Sequence, residues 1–354
     1  MTNPTVSVVM TAYNGEAYIA EAIRGVLDQT FTDFELIVID DGSSDHTVEI
    51  IKGFDDPRLV FVQNERNMGI SNTRNRGAAL TRGRYLAAHD QDDISYPIRL
   101  RHQVEVLDAD PNVVLVTGRV DAIPRQRGPW PPLPVPSPAV LAWTLFTGSQ
   151  ITHSTICVRL AALRDNGLKY EQNYHYAEDF ELFHRLSELG KIVMVPDTLG
   201  AYRQHDKNAS LLHYKEMTAN GQSFLRGRYN EYLGPDAVGS DDIVSVWKLM
   251  IEQRDASSED ELMLVGGIVS RLVDRFIARR GLEGDDARQV YAAAAGKWQL
   301  AVLKTARVHG PSMLRFASAF ANLKAVDAGL PNALLRGADA TARFVYNKMR
   351  GRCG

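Results

Sequence analysis

The alternation of short apolar runs with amphipathic stretches over residues 6–116 is the strongest constraint on how this chain can fold. Residues 6–11 (Val-Ser-Val-Val-Met-Thr) are apolar and β-branched, as a central strand should be, and 34–39 (Phe-Glu-Leu-Ile-Val-Ile), 58–62, 85–88 and 113–116 are further short, mainly apolar runs that read as strands. Between them the apolar period lengthens. Ile19, Ile23, Val26 and Leu27 fall on one helical face, and Val48 and Ile51 mark a second helix. Ser71 is placed as the cap of a third helix that ends at Gly83, and Leu100, Val104 and Leu107 lie along a fourth behind Pro97. Strands alternating with helices predict an α/β fold, a mostly parallel sheet covered by helices.

In such a sheet, ligands collect beyond the carboxyl ends of the strands. Three polar clusters stand at those ends: Tyr13 in a turn, the pair Asp40 and Asp41, and Asp90-Gln91-Asp92-Asp93. The last puts three carboxylates within four residues, which raise each other's pKa unless something neutralises them. Hard oxygen ligands at this spacing suit Mg²⁺ or Mn²⁺ shared with the phosphates of a substrate. Taken alone, the cluster is equally readable as a solvated acidic loop in which Asp93 caps the helix near Pro97.

Seven prolines between 124 and 138, with Trp130 among them, exclude a helix or sheet interior and predict an extended loop, either a passive connector or a cover over the site. A helix is expected over 139–146, a strand over 154–158, a helix over 176–186 that buries Phe180, Phe183, Leu186 and Leu189 and stops at Gly190, and a last strand over 191–195. From about residue 211 strand patterns vanish. Helical periods run over 262–277 and 290–302, with breaks at Gly234-Pro235 and at 281–284. The division expected is therefore an α/β domain over 1–210 and a helical region over 211–354. From Lys297 onward ten Lys or Arg face two acids, interleaved with apolar residues. Such a tail serves either as a peripheral contact with an anionic membrane surface or as a solvated face packed on the main domain or on another subunit, which leaves a homo-oligomer open.

A net charge of −3 gives no global basicity, so nucleic acid is not an expected partner. Two cysteines, Cys157 and Cys353, lie far apart without metal-ligand spacing. No apolar stretch has the length of a spanning helix or the flanks of a secretory leader. These features together lead to the expectation of a cytoplasmic protein, in contact with the inner face of the membrane if the basic tail binds there.

The order of motifs resembles glycosyltransferase family 2, inverting enzymes with the nucleotide-sugar-binding fold called GT-A. The matching residues are 8–14 (Val-Val-Met-Thr-Ala-Tyr-Asn), 39–45 (Ile-Asp-Asp-Gly-Ser-Ser-Asp), 67–69 with 74–77, 90–93, Glu178-Asp179 and 202–205. The resemblance covers about residues 4–210. It implies that Tyr13 stacks on the nucleotide base beside Thr11, and that Asp41, next to Asp40, accepts a hydrogen bond from uracil. Arg74 would lie near the base and phosphates, and Asp90 near the ribose or the metal. Asp92 would be the metal ligand, with His205 touching the diphosphate or metal. Asp179, with Glu178 before it, would be the general base, and His153 and Ser154 would line the acceptor side. The implied chemistry is transfer of one sugar from a nucleotide donor, UDP-linked by preference, to a hydroxyl of a surface glycan or lipid-linked oligosaccharide, in cell-envelope polysaccharide synthesis.

Other readings of the bare residues are a turn aromatic at Tyr13, helix capping by Asp40 and Asp41, a surface arginine at 74, and an acidic first helical turn at Glu178-Asp179. A sugar nucleotidyltransferase would want a Gly-rich, basic phosphate loop after the first strand, which Thr-Ala-Tyr-Asn-Gly (11–15) does not provide. A dinucleotide-binding dehydrogenase would want Gly-x-Gly-x-x-Gly there. A non-catalytic nucleotide-sugar-binding scaffold is a further alternative, disfavoured by the intact Asp92 and Asp179. Processive synthases are disfavoured by the absence of Gln-x-x-Arg-Trp.

Overall fold

A computed structural model describes residues 3–124, 134–314 and 316. They form two compact units: Met1–Ala142 with Gln150–Gly221, and Trp143–Ser149 with the residues from Gln222 on. The proline-rich loop over 125–133, most of the basic tail and Cys353 lie outside the described residues.

The first unit is an α/β layer structure. Its strands are β1 (Val6–Ala12), β2 (Phe34–Asp40), β3 (Leu59–Gln63), β4 (Tyr85–Asp90), β5 (Ile94–Ser95), β6 (Val113–Ile123), β7 (Cys157–Arg159) and β8 (Lys191–Arg203). They form one eight-stranded sheet in the order β3-β2-β1-β4-β7-β6-β8-β5. The β3-β2-β1-β4 half is parallel throughout, β6 pairs parallel with β8, and β7 and β5 pair antiparallel with their neighbours. All seven residues of β2 are buried, which is why that strand reads as one apolar run. The helices are α1 (Ile19–Leu27), α2 (Thr47–Lys52), α3 (Ile70–Leu80), α4 (Arg99–Ala109), α5 (Pro138–Thr147), which passes into the second unit after Ala142, α6 (Leu160–Arg164) and α7 (Glu178–Leu189). Helix α1 buries Ile19, Ala22, Ile23 and Val26 against a core that includes Val8, Met10, Leu36 and Val38. Helix α3 lies so close to the sheet that a Cβ on Gly77 would come within 2.4 Å of Val9 Cγ1 and 2.9 Å of Ile39 Cδ1.

Three expectations are corrected here. Ser71 does not cap α3. The helix starts after Gly69 (φ 84°), and the Met68 and Gly69 amides donate to Asp41, 27 and 28 residues earlier in the chain. The strand expected over 154–158 begins only at Cys157, and residues 153–155 form a 3₁₀ turn whose polar groups are drawn into buried bonds: Gln103 Nε2 donates to the Thr155 carbonyl at 2.6 Å, and the Thr117 and Thr155 hydroxyls meet at 3.0 Å. Leu189 is exposed and Phe180 only half-buried; α7 buries the expected Phe183 and Leu186 together with Leu182. Strands β6 and β8 also run well past the expected 113–116 and 191–195. Their pairing passes through irregularities, one of which accommodates Pro196 between the Met194 and Thr198 pairs.

The second unit is helical: after α8 (Ala209–Leu212) come α9 (Tyr214–Leu233), within which the unit boundary falls, then α10 (Ser240–Val246), α11 (Glu259–Arg279) and α12 (Gly284–His309). Its core gathers Trp143, Phe146, Tyr229, Tyr232 and Phe276, and the Tyr229 hydroxyl donates to the Phe146 carbonyl at 2.6 Å. Helix α11 contributes Leu262, Val265, Ile268, Val269, Leu272, Val273 and Phe276 at helical spacing, and Ser258 caps it by accepting from Glu261 N. Among the described residues no helix is long and apolar enough to cross a membrane.

Candidate functional site

The parallel strands end level with one another. Thr11 on β1 pairs with Asp90 on β4, and Ala12 pairs with Asp40 on β2, so Thr11, Asp40 and Asp90 share one sheet edge. Beyond β1 the chain turns through Tyr13 and Asn14 (φ 47°). Gln91 grips that turn from both sides: its Oε1 accepts from Tyr13 N at 2.9 Å, and its Nε2 donates to Tyr13 O at 3.1 Å. The Tyr13 ring remains 46% exposed, so a flat ligand has room to stack on it.

The two aspartates at the end of β2 are buried and occupied. Asp40 accepts from the Gly42 and Ser43 amides and from Gln63 Nε2, which builds the turn at Gly42 (φ 75°). Asp41 Oδ1 accepts from Asn64 Nδ2 at 2.6 Å and Met68 N at 2.8 Å, and Oδ2 from Gly69 N at 3.0 Å. A carboxylate has about four acceptor positions, which leaves Asp41 Oδ2 one for a ligand.

At the centre lies Arg74 on α3, only 7% exposed. Its Nη1 donates to Glu178 Oε1 at 2.6 Å and its Nη2 to Asp90 Oδ1 at 3.2 Å. Burial works to lower its pKa, but the charges of Asp90 and Glu178 outweigh that and hold it above the usual arginine range. Asp90 is correspondingly pulled far down: burial opposes ionisation, but His153 and Arg74 win. Glu178 is raised, burial outweighing Arg74. Part of the charge compensation that the acidic cluster requires is thus internal, from Arg74.

Asp92 turns the other way. Its Oδ2 meets His205 Nε2 at 2.9 Å, and burial together with the Asp90 charge raises its pKa. His205 is brought there by the long β8, whose Arg203 also donates through Nε to the Asp92 carbonyl at 2.9 Å. Asp93 is buried, accepts from Arg203 N at 2.9 Å, and is pushed up to about 7 by burial and by Asp90, against the Ser154 hydroxyl. It is a supporting residue, and it is not the helix cap of the alternative reading. Among the described residues, no group of three or more His, Cys, Asp or Glu is arranged as a metal cage. The donor set still fits a cation held mostly by substrate phosphates. Asp92 Oδ2 and His205 Nε2, hydrogen-bonded at 2.9 Å, are donor types that would suit Mg²⁺ or Mn²⁺.

On the far side of Arg74, α7 begins with Glu178, buried and paired, and Asp179, half-buried, whose Oδ1 accepts from Phe180 N at 2.6 Å. Tyr176 just before them sits in the left-handed region (φ 62°) with its ring stacked on His213 at 4.0 Å. His153 and Ser154 are both buried behind the carboxylates: His153 Nδ1 meets Asp90 Oδ1 at 3.2 Å, and Ser154 bonds Asp93. Arg74 therefore brings together Asp90, Glu178 and, through Asp90, His153. Tyr13 and Asp41 flank this group without bonding it. Tyr170 carries no motif and only its placement identifies it, while Gln91 and Arg203 lie within motifs whose spacing does not show what they bond.

Comparison with known proteins bears on the family and the fold. The family described as glycosyl transferase family 2 matches residues 7–186. An uncharacterized glycosyltransferase of Haemophilus influenzae is 28% identical over 268 residues, covering 72% of this chain and 83% of the relative. Among solved structures, S. aureus TarS residues 1–349 in complex with UDP-GlcNAc matches with a TM-score of 0.54 at 18% identity, covering 89% of this chain and 88% of that one. The mannosyltransferase PcManGT of Pyrobaculum calidifontis, in complex with GDP-Man and Mn²⁺, matches with a TM-score of 0.51 at 16% identity, covering 92% and 88%.

Proposed function

The chain belongs to glycosyl transferase family 2 and has the GT-A fold, and from that premise we propose that it moves a single sugar from a nucleoside diphosphate donor, UDP by preference, to a hydroxyl of a glycan or lipid-linked saccharide. The observation that carries this reading is the Arg74 bridge: one buried guanidinium bonds Asp90, on the donor side, and Glu178, which precedes the base candidate Asp179.

In the proposed reaction the acceptor oxygen attacks the anomeric carbon, the bond from that carbon to the diphosphate breaks, and the acceptor proton passes to Asp179. Attack opposite the leaving group inverts the configuration. Asp179 suits the base role because it has no ion pair among the described residues, whereas Glu178 is buried and committed to Arg74. Tyr13 would stack on the base, Thr11 would lie beside it, and Asp41 would accept from the ring through its remaining acceptor position; Asp40 shapes the turn that holds them. A Mg²⁺ or Mn²⁺ ion bound by Asp92 and Asp90, with His205 beside it, would offset charge on the departing diphosphate. Mn²⁺ in the PcManGT complex supports that assignment. TarS with UDP-GlcNAc supports a UDP donor. His153 and Ser154, which bond Asp90 and Asp93, would line the acceptor side from behind those carboxylates. The basic composition from Lys297 on supports a cytoplasmic location with peripheral contact at the inner membrane face.

The test is calorimetry of UDP, dTDP and GDP, with and without Mn²⁺, on wild type and Asp92→Ala. Metal-dependent binding of one diphosphate, lost in the variant, is expected. Absence of binding for all three would sink the reading.

A further inference from the structure

Asp90 is held from two directions, and the second leads through His153 to Tyr170, which lies outside every motif, and to Asn75. Its Oδ1 accepts from Arg74 Nη2 and meets His153 Nδ1, both at 3.2 Å, which fills that oxygen. Among the described residues Oδ2 has no bond. Behind His153 stands Tyr170, 5% exposed, with its hydroxyl 3.0 Å from His153 Nε2. Tyr170 is itself fixed by Asn75, the residue after Arg74 on α3. Asn75 Nδ2 donates to the Tyr170 carbonyl at 2.8 Å and its Oδ1 accepts from Tyr170 N at 2.9 Å. The Arg74 guanidinium lies 5.5 Å from the centre of the Tyr170 ring. One turn of α3 therefore grips Asp90 twice, directly through Arg74 and indirectly through Asn75, Tyr170 and His153.

The chemistry of the chain fixes its polarity. An ionised carboxylate only accepts, so His153 must present Nδ1–H to Asp90. In a neutral imidazole Nε2 is then an acceptor, and it needs a donor because the site is buried. The Tyr170 hydroxyl is that donor, and burial raises its pKa so that it keeps its proton. We infer that Tyr170 and Asn75 are positioning residues that lock His153 in its Nδ1–H form, so that Asp90 is held with Oδ1 saturated and Oδ2 presented to the incoming nucleotide diphosphate or its cation. This rests on the donor site proposed above, and it assigns to that site two residues 95 positions apart.

The experiment measures the affinity of the same diphosphate probes in the presence of Mn²⁺ for a double-variant cycle of Tyr170→Phe and His153→Asn, with the ¹⁵N spectrum of the His153 ring recorded without ligand. Tyr170→Phe keeps the ring and removes one hydroxyl, so diphosphate binding is expected to weaken about three- to tenfold, the range of one hydrogen bond. The ring should also lose its single Nδ1–H tautomer. An asparagine amide donates from the position of Nδ1 without needing Tyr170, so Tyr170→Phe should have no further effect on the His153→Asn background. Asn75→Ser, which shortens the grip on Tyr170, should weaken binding in the same direction, and it replaces Tyr170→Phe if that variant does not fold. Unchanged binding in Tyr170→Phe, or additive losses in the double variant, would overturn the inference. A wild type that binds none of the three diphosphates refutes the proposed donor site instead. The tautomer then decides the brace: a single Nδ1–H form in wild type that is lost in Tyr170→Phe supports it, and any other spectrum overturns it.

Discussion

Replacing Arg74 by methionine tests the electrostatic centre of the site. Arg74 lies 2.6 Å from Glu178 and 3.2 Å from Asp90, and Glu178 is 2% exposed. At an effective dielectric of about 20, the two contacts are worth about 5–6 kcal/mol of attraction each before desolvation of the guanidinium is subtracted. Deleting one partner of a buried pair typically costs about 3–5 kcal/mol, since the remaining charge is stranded. A unit of about 200 residues shifts by roughly 2–4 °C per kcal/mol, so the thermal midpoint of Arg74→Met should fall by about 6–20 °C at pH 8. The deficit should depend on pH. Burial already raises Glu178, and the positive charge of Arg74 is what chiefly opposes that rise. Without Arg74 the folded-state pKa climbs further above the unfolded value of about 4.3. The folded variant then binds more protons than the unfolded chain across that interval, so its stability falls as pH rises. Scanning calorimetry at pH 5 and pH 8 should therefore find the larger gap from wild type at pH 8, and Glu178→Gln on the same background should recover part of it. A loss under about 1 kcal/mol, or one equal at both pH values, would refute the reasoning.

The other predictions address the base, the packing of α3 and the helical unit. Asp179→Asn should slow release of the nucleotide from the sugar donor by about 10²- to 10⁴-fold while leaving diphosphate affinity unchanged; undiminished turnover would remove Asp179 as the base. Gly77→Ala would press a methyl group to 2.4 Å from Val9, within a buried interface. Overpacking of about 1–3 kcal/mol should exceed the helix-propensity gain of up to about 1, so the denaturation midpoint should drop; a rise would show that α3 can shift away from the sheet. Lys297 on α12 donates to the Thr147 carbonyl, and burial holds it at about 8. The unfolded lysine keeps its proton to about pH 10.4, so between those values the unfolded state binds more protons and stability should rise with pH. Lys297→Met should flatten that rise. At pH 7 it should stabilise by about 2 kcal/mol, from about 3 for relieved desolvation less about 1 for the lost bond, and a destabilised variant would contradict the assignment.

What the sequence reveals of the fold follows from where each signal originates. Strands β1, β2 and β4 are buried on both faces and regular, so composition alone marks them. The full length of β6 and β8 is hidden because their pairing tolerates breaks: Pro196 sits in one irregularity, and at Gly118 a Cβ would lie 2.4 Å from Leu199 Cγ, so alternation fails where the chains approach most closely. The start of α3 is hidden for a different reason. Local capping rules favour Ser71, but the amides at the entry are satisfied by Asp41 from another strand end, a contact with no local trace.

The same distinction separates the legible part of the site from the hidden part. Carboxylates at strand ends are visible in any linear reading, because an apolar run stopping at charge is unusual. What those carboxylates do depends on partners that arrive from elsewhere in the chain. Asp40 and Asp41 share a position and a charge, yet Asp40 is used to build a turn while Asp41 keeps one acceptor position open, a difference decided by Gln63, Asn64 and the 68–69 amides. Asp90 and Asp92, two residues apart, are driven in opposite directions, one ionised by His153 and Arg74, the other raised by burial and by its neighbour's charge. Local spacing gives both the same weight. The asymmetry arises because α3, the 3₁₀ turn at His153 and the end of β8 converge on the sheet edge from three directions, so Asp90 is locked between Arg74 and His153 while Asp92 pairs with His205.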